Sequence, residues 1–288
     1  MVNEHRERRM VRDERAESSS ALVAHEAWPK IIDARPRFVM ALCCLYLGLA
    51  WGLVFAVDIY GPRGGPDTAH LWPPLFNRGP VEFAQWFALA WAIVVFAFSA
   101  GRMDRGRSPR LYSFLVVMSV ALSLMLIEEA GDIRHTLRTS LSPVLPGEVS
   151  PLIEPTYFVA LAALPVYAVV RYGPGLLTWR TIRPYLVVGV ISYGLAAGMS
   201  ATESWFRLLR RTGYFFHEVL PGSTLHVPGH ADRDLWYFLF GDGPVEETLE
   251  LLGAVAFLAL GLAVAQSLRA DACSASTTLE PHDPVASP

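Results

Sequence analysis

Two acidic residues and a histidine near the middle of the chain have the spacing of a metal site. Glu128, Asp132 and His135 stand at positions i, i+4 and i+7. In a continuous helix this spacing places all three on one face about two turns long. Carboxylate and imidazole groups in that arrangement are suited to a divalent metal ion. The pattern therefore predicts metal ligands at the end of a helix.

A second motif with the same spacing lies nearer the C-terminus. It consists of Glu246, Glu250 and Gly253, and the glycine would let a neighbouring helix approach the face that carries the acids. Glu250 would lie about one turn inside a bilayer, where an ionisable side chain is costly and usually functional. Gly194 and Gly198 similarly predict close helix packing on the preceding apolar stretch.

The two motifs together predict one site with a bound metal ion and a catalytic base. The predicted metal ligands are Glu128, Asp132, His135, Glu203 and Glu250. Glu129 or Glu247 would be the general base that activates a metal-bound water. Because most of these ligands are oxygens, Mg, Mn or Ca is favoured, while the single histidine leaves Zn or Fe open.

Structural roles compete with this interpretation for several acids. Glu82, Glu154 and Glu246 stand at predicted helix N-termini, where the helix dipole favours negative charge. Acids at C-terminal helix ends are instead opposed by roughly 0.3–1 kcal/mol each, so an arginine or a bound cation should hold them. That second group comprises Asp58, Glu128, Glu129, Asp132 and Glu203. The loop histidines His70, His217, His226 and His230 could complete a site, but exposure to solvent is the simpler explanation for each.

Long apolar stretches must position these residues. The chain is 52% hydrophobic over 288 residues, which is too apolar for an ordinary soluble protein. Six stretches approach the roughly 20 helical residues that cross a hydrocarbon core. They are Phe38–Tyr60, Val81–Gly101, Leu111–Glu129, Thr156–Tyr172, Pro184–Thr202 and Val245–Leu268. The predicted fold is an all-α polytopic membrane bundle of six transmembrane helices.

The flanking segments predict the domain boundaries and the orientation. Residues 1–37 and 270–288 are polar and lack helical periodicity, so we expect disordered tails around a membrane domain at 38–269. Residues 205–243 would form an outer loop over the bundle. Arginine is more frequent in the segments that share a side with the N-terminus, which predicts both termini in the cytoplasm and a location in the plasma (inner) membrane.

Several functional classes lack their usual signals. The net charge is −3 and Lys30 is the single lysine, so no basic surface for nucleic acid is expected. The three cysteines form no disulfide framework, because Cys43 and Cys44 are neighbours in an apolar run and Cys273 lies in a tail. The motifs G-x-S-x-G and H-E-x-x-H and a phosphate-binding glycine loop are absent from the sequence.

Three acid-containing stretches resemble motifs of uncharacterised bacterial multi-span membrane proteins. They are LIEEAGDIRHTLR from Leu126 to Arg138, GMSATES around Glu203, and VEETLELLGA from Val245 to Ala254. The resemblance covers roughly the second half of the chain and implies that these acids belong to one site. It implies no particular activity. Arg134, directly before His135, departs from the usual pattern of that family.

We therefore predict an outward-facing acidic site that binds a divalent cation. A metal-dependent hydrolase or transferase acting on a lipid-linked substrate is the leading hypothesis. One alternative is an ion or proton-coupled transporter with buried acids along its path. Another is an assembly subunit whose acids bind the arginines of a partner protein.

Overall fold

The fold is all-α. The computed structural model describes residues 30–61, 70–103, 108–144, 152–202 and 243–277, together with positions 106, 215 and 219. Within these residues the regular structure is helical, and the prediction of an all-α bundle is confirmed. Five helices are long and apolar enough to cross a membrane, namely Pro36–Ile59, Trp72–Arg102, Pro109–Gly131, Ile153–Leu177 and Pro244–Asp271.

The helices are labelled in chain order. They are α1 (Pro36–Val54), α2 (Trp72–Phe76), α3 (Pro80–Arg102), α4 (Pro109–Gly131), α5 (Ile133–Leu141), α6 (Ile153–Leu177), α7 (Arg183–Thr202) and α8 (Pro244–Thr277). A 3-10 helix, Lys30–Asp33, precedes α1, and a π-helical turn, Phe55–Ile59, extends it. Helices α1, α3, α4, α6, α7 and α8 match the six predicted spans, although α7 is not one of the five candidates above.

Proline marks the beginning of several helices. Pro36, Pro80 and Pro109 occupy the first turns of α1, α3 and α4. A proline is tolerated there because the first amides of a helix have no intrahelical acceptor. Pro244 is likewise the first residue of α8.

Helix α8 is the central element of the bundle. It packs against α3, α7 and α1, while α4 packs against α3 and α6. Small residues permit these close contacts: a Cβ atom on Gly253 would lie 2.4 Å from the ring of Tyr193, and one on Gly261 would lie 3.1 Å from Val95. The predicted close approach of a neighbouring helix at Gly253 is confirmed.

The glycines of α7 have a different role from the one predicted. Among the described residues, a Cβ atom on Gly194 or Gly198 would meet no atom within 4 Å outside its own helix, so close packing at these positions is not found in this part of the chain. The tight contact of α7 lies earlier, at Gly189, where a Cβ atom would lie 2.9 Å from Phe257. Spacing alone does not show which face of a helix meets its neighbour.

The two ends of the described chain meet at one end of the bundle. Gln266 in α8 donates hydrogen bonds to the carbonyl oxygens of Ile32 and Ala34, at 2.8 and 2.9 Å. Arg269 pairs with Asp33 at 2.6 Å. Both predicted tails are therefore partly ordered near their membrane ends. The start of α1 and the end of α8 therefore lie at the same end of the bundle, as a bundle with an even number of crossings requires, and the crossing of α7 stays a prediction.

Candidate functional site

The acids gather at the opposite end of the bundle, called here the acidic end. Asp58, at the end of the π-helical turn, is buried, and its carboxylate accepts hydrogen bonds from the backbone N–H groups of Leu71 and Trp72 at 2.8–3.0 Å. Those amides begin α2, where the helix dipole stabilises a carboxylate. Asp58 is thus held by a helix N-terminus.

The chain does not form one continuous helix through Glu128, Asp132 and His135. Helix α4 ends at Gly131, and Asp132 adopts a left-handed conformation with φ 46° before α5 begins. Aspartate tolerates this left-handed conformation better than most residues. The backbone N–H of Asp132 donates to the carbonyl oxygen of Glu128 at 2.8 Å, which satisfies one of the last carbonyl groups of α4. The predicted shared face is therefore wrong, because Asp132 separates two helices. Its carboxylate lies 3.6 Å from the exposed guanidinium of Arg78.

Glu128 is buried and has its own hydrogen-bond donors. It is 6% exposed. The hydroxyl of Tyr157 on α6 donates to its Oε2 at 2.6 Å, and the backbone N–H of Arg134 approaches its Oε1 at 3.4 Å. These contacts join α4, α5 and α6 at the acidic end. They also leave Glu128 less available as a metal ligand.

Three glutamates on two helices form a cluster, called here the glutamate cluster: Glu129 on α4 with Glu247 and Glu250 on α8. Each interacts electrostatically with the other two. In a medium of low dielectric constant this repulsion is strong, so the cluster requires compensating protons or cations. Its two α8 members, Glu247 and Glu250, are three residues and so about one helical turn apart.

Gln85 on α3 completes the polar surface of the glutamate cluster. It is fully buried, and its Nε2 donates to Glu250 at 3.2 Å while also facing Glu129 and Tyr193. Its Oε1 has no hydrogen-bond partner among the residues that the structure describes, and neither has Oε2 of Glu247. Two buried acceptor oxygens therefore lack a donor.

Arg134 is a cation beside these acids. Burial lowers the pKa of its guanidinium, but the neighbouring carboxylates together raise this pKa by more than burial lowers it. The pKa of Arg134 is therefore above the usual value for arginine. These carboxylates belong to Glu246, Glu250, Glu128 and Glu154. The guanidinium carbon also lies 5.0 Å from the centre of the Phe158 ring, within cation–π distance. One arginine cannot balance all of these carboxylates, so the region also needs bound protons or a further cation.

Further polar contacts form the rim of the acidic end. Ser200 on α7 donates to Glu246, and Arg138 lies 3.1 Å from Glu154. The backbone N–H of Arg78 donates to Glu82. These three glutamates stand in the first turns of their helices, which agrees with the structural roles proposed for them from the sequence.

An apolar groove of about 280 Å³ extends from the glutamate cluster along α6 and α7. Its wall on α6 is a stripe at every third or fourth position from Phe158 to Val170, which spans roughly 18 Å at 1.5 Å per residue. Gly194 and its α7 neighbours form the facing wall. Glu129 and Glu250 are the carboxylates that line the groove. An apolar space in the bundle therefore ends at two acids.

The predicted metal site is partly assembled. Glu128 and Glu250 both flank Arg134, whereas Asp132 pairs with Arg78. In the part of the chain that the structure describes, no group of three or more His, Cys, Asp or Glu side chains is arranged to hold a metal ion. Glu203 and the side chain of His135 lie outside the described residues, as do His217, His226 and His230. The metal-ion site stays a prediction.

Sequence reasoning missed the partners of the acids. Tyr157, Gln85 and Tyr193 stand within apolar stretches, where a single tyrosine or glutamine is no signal of a site. An arginine was expected to hold the acids at helix C-termini, and Arg134 lies beside four glutamates. It follows Glu128 and Glu129 by six and five residues in the sequence.

The chain matches no protein-family model, no curated protein and no solved structure at a significant level. The resemblance to uncharacterised bacterial membrane proteins stays a prediction.

Proposed function

We propose that this membrane protein binds an amphiphilic, lipid-linked substrate. The hydrocarbon chain lies in the groove between α6 and α7, and the polar group lies at Glu129 and Glu250. The observation that supports this proposal is the joining of an apolar groove and two carboxylates in one space. An apolar space alone would suit any lipid chain, whereas the acids give one end a chemical preference.

The groove is accessible from the bilayer. Helix α6 packs mainly on α4, and α7 packs mainly on α8, so the two helices that form the groove are held by different neighbours. Val166 and Val170 both line the groove and are exposed, at 56% and 70%. A lipid chain can therefore enter sideways between α6 and α7 without leaving the hydrocarbon region.

The polar end supplies the selectivity. Lipid chains are as apolar as the groove, so exchanging one for another changes the free energy little. Electrostatic interactions are stronger in this medium than in water. A polar group that complements the glutamate cluster therefore decides which amphiphile is bound.

Glu129 is the better placed of the two proposed general bases. Its carboxylate lines the groove and would meet the polar group of a bound substrate, while Glu247 adjoins it within the glutamate cluster. A hydrolase or transferase reaction on the substrate would use Glu129 to accept a proton from the attacking group. A divalent cation at this end would add Lewis-acid chemistry.

The described residues give less support to the transporter alternative. A relay of protons or ions needs polar groups that continue through the bundle. The hydroxyls of Ser119 and Ser123 in α4 instead donate to carbonyl oxygens of their own helix, Leu115 and Ser119, at 2.9 and 2.8 Å. Both hydroxyl groups therefore have their hydrogen-bond acceptors within α4. They do not form a polar path from the acidic end toward the other end of the bundle.

Filling the groove tests the proposal. In Gly194→Leu the new side chain enters the groove, because a Cβ atom there meets no protein atom within 4 Å. We expect labelling by a photoreactive long-chain lipid in nanodiscs to fall by about half or more. Gly48→Leu is the matched control: it is also exposed and free of contacts, but it lies on α1.

The control should leave labelling unchanged. Equal labelling of the wild type and both variants, with all three equally folded, would contradict a binding role for the groove.

A further inference from the structure

We propose that the acidic end of the groove selects a protonated amine, so that the preferred ligand is an amine-bearing amphiphile. This inference rests on the proposed function, since it names the polar group of the molecule whose chain occupies the groove. Three features of the described residues support it: the charge balance, the unpaired oxygens, and the location of the groove.

The charge balance favours a cation. The glutamate cluster contributes three carboxylates, and Glu246 and Glu128 lie close by, whereas Arg134 is the described cation that interacts with all of them. Glu128 is engaged by Tyr157, and Glu246 accepts a hydrogen bond from Ser200. Among the described residues, the acids here that have no hydroxyl donor of this kind are those of the glutamate cluster, whose mutual repulsion a bound cation at the end of the groove would relieve.

The unpaired oxygens favour a ligand with several hydrogen-bond donors. Oε1 of Gln85 is buried with the whole side chain and has no hydrogen-bond partner in the described part of the chain, while its amide nitrogen donates to Glu250 at 3.2 Å. Oε2 of Glu247 is also buried and lacks a hydrogen-bond partner within the described residues. A primary ammonium group carries three donors and no acceptor, so it can satisfy such oxygens together with a carboxylate.

The groove places the ammonium group where it is needed. Glu129 and Glu250 line the groove, and Gln85 contacts Glu250 from the α3 side. A chain that lies along the stripe from Phe158 to Val170 would therefore present its polar end to these carboxylates.

A comparison of two probes on the unmodified protein tests this inference. One probe is a long-chain primary amine, and the other is the alcohol with the same chain. Each competes with a photoreactive lipid of uncharged headgroup for labelling in nanodiscs of neutral lipid. We expect the amine to compete at a concentration at least about tenfold lower, which corresponds to one charge-assisted hydrogen bond. The comparison needs no variant to fold.

Two variants locate the preference. Glu250→Gln removes one charge from the glutamate cluster, and we expect it to reduce the amine preference to about threefold or less. Glu154→Gln makes the same chemical change at the same end of the bundle, but Glu154 pairs with Arg138 and does not line the groove. The Glu154 variant should retain the preference.

The outcomes separate the two proposals. If both probes compete equally, the groove binds lipid but the carboxyl groups are neutral, and the amine inference is wrong. If Mg²⁺ or Mn²⁺ removes the amine preference at low concentration, the cluster selects metal ions and the inference is also wrong. If neither probe competes and Gly194→Leu does not alter labelling, the proposed function itself fails.

Discussion

Single residues determine where charge resides at the acidic end. Glu128 and Glu250 are both glutamates near the ends of apolar helices, yet their partners differ. Glu128 accepts a hydrogen bond from a tyrosine hydroxyl, while Glu250 meets an amide nitrogen and three further carboxylates. Glu128 is therefore satisfied within the protein, whereas the carboxylates around Glu250 repel one another and would be stabilised by a cationic ligand.

Removing the hydroxyl of Tyr157 should destabilise the protein. Tyr157→Phe takes away the 2.6 Å hydrogen bond to a carboxylate that is 6% exposed. Loss of a partner for a buried charged group costs about 1–3 kcal/mol. We expect a lower free energy of unfolding in a thermal or denaturant titration of the detergent-solubilised protein. Tyr167→Phe on the same helix is the control, because Tyr167 is half exposed and should change stability far less.

If the two substitutions lower the free energy of unfolding equally, the hydrogen bond from Tyr157 to Glu128 does not stabilise the protein more than the contacts of Tyr167 do. A stabilised Tyr157→Phe variant would contradict the assignment directly.

The residue-level site was only partly predictable from the sequence. Glu250 and Glu129 were recognised, because acids at the ends of apolar stretches are conspicuous. Gln85 and Tyr157 were not, because their roles depend on contacts with helices distant in sequence. Pairing between helices is a property of the packed bundle, and hydropathy does not report it.

At the scale of helices, the apolar runs predicted the elements well but not their breaks. The spans of α1, α3, α4, α6, α7 and α8 follow from runs long enough to cross a bilayer. The break at Asp132 does not, because a left-handed residue between two helices leaves the amphipathic pattern nearly intact. That break separates Asp132 from the face of Glu128 and so changes the predicted ligand set.

The close contact of α7 and α8 at Gly253 gives a test of helix packing. In Gly253→Ala the new methyl group would lie 2.4 Å from the Tyr193 ring, so the helices must separate. Overpacking of this kind costs about 1–3 kcal/mol. Gly52→Ala on α1 is the matched control, because a Cβ atom there meets nothing within 4 Å. Its greater helix propensity predicts a gain of about 0.5–1 kcal/mol.

Thermal unfolding of the two alanine variants measures this difference. Opposite shifts of the unfolding temperature are expected, downward for Gly253→Ala and upward or unchanged for Gly52→Ala. If both variants shift upward, α7 and α8 do not pack at this position, and the wall of the groove is wrongly placed.

At the scale of the whole molecule, the bundle has one acidic end and one end where the two described chain ends meet. Gln266 bonds to the backbone of Ile32 and Ala34, which ties the final helix to the segment before the first. The described chain ends therefore lie at one end of the bundle. Their predicted cytoplasmic location stays a prediction.

The central claim is that an amphiphile occupies the groove with its polar group at the acids. The most direct test uses a long-chain amine probe that carries a photoreactive group at the end of its chain opposite the amine. The measurement is the position on the protein at which this probe becomes attached. Mass spectrometry of the digested protein should find the label on α6 and α7 near Val170 and Val190, at the end of the groove that lies about 18 Å along α6 from Phe158. Labels spread over the exposed lipid-facing residues of α1, such as Leu45 and Leu49, with none on α6 or α7, would contradict it.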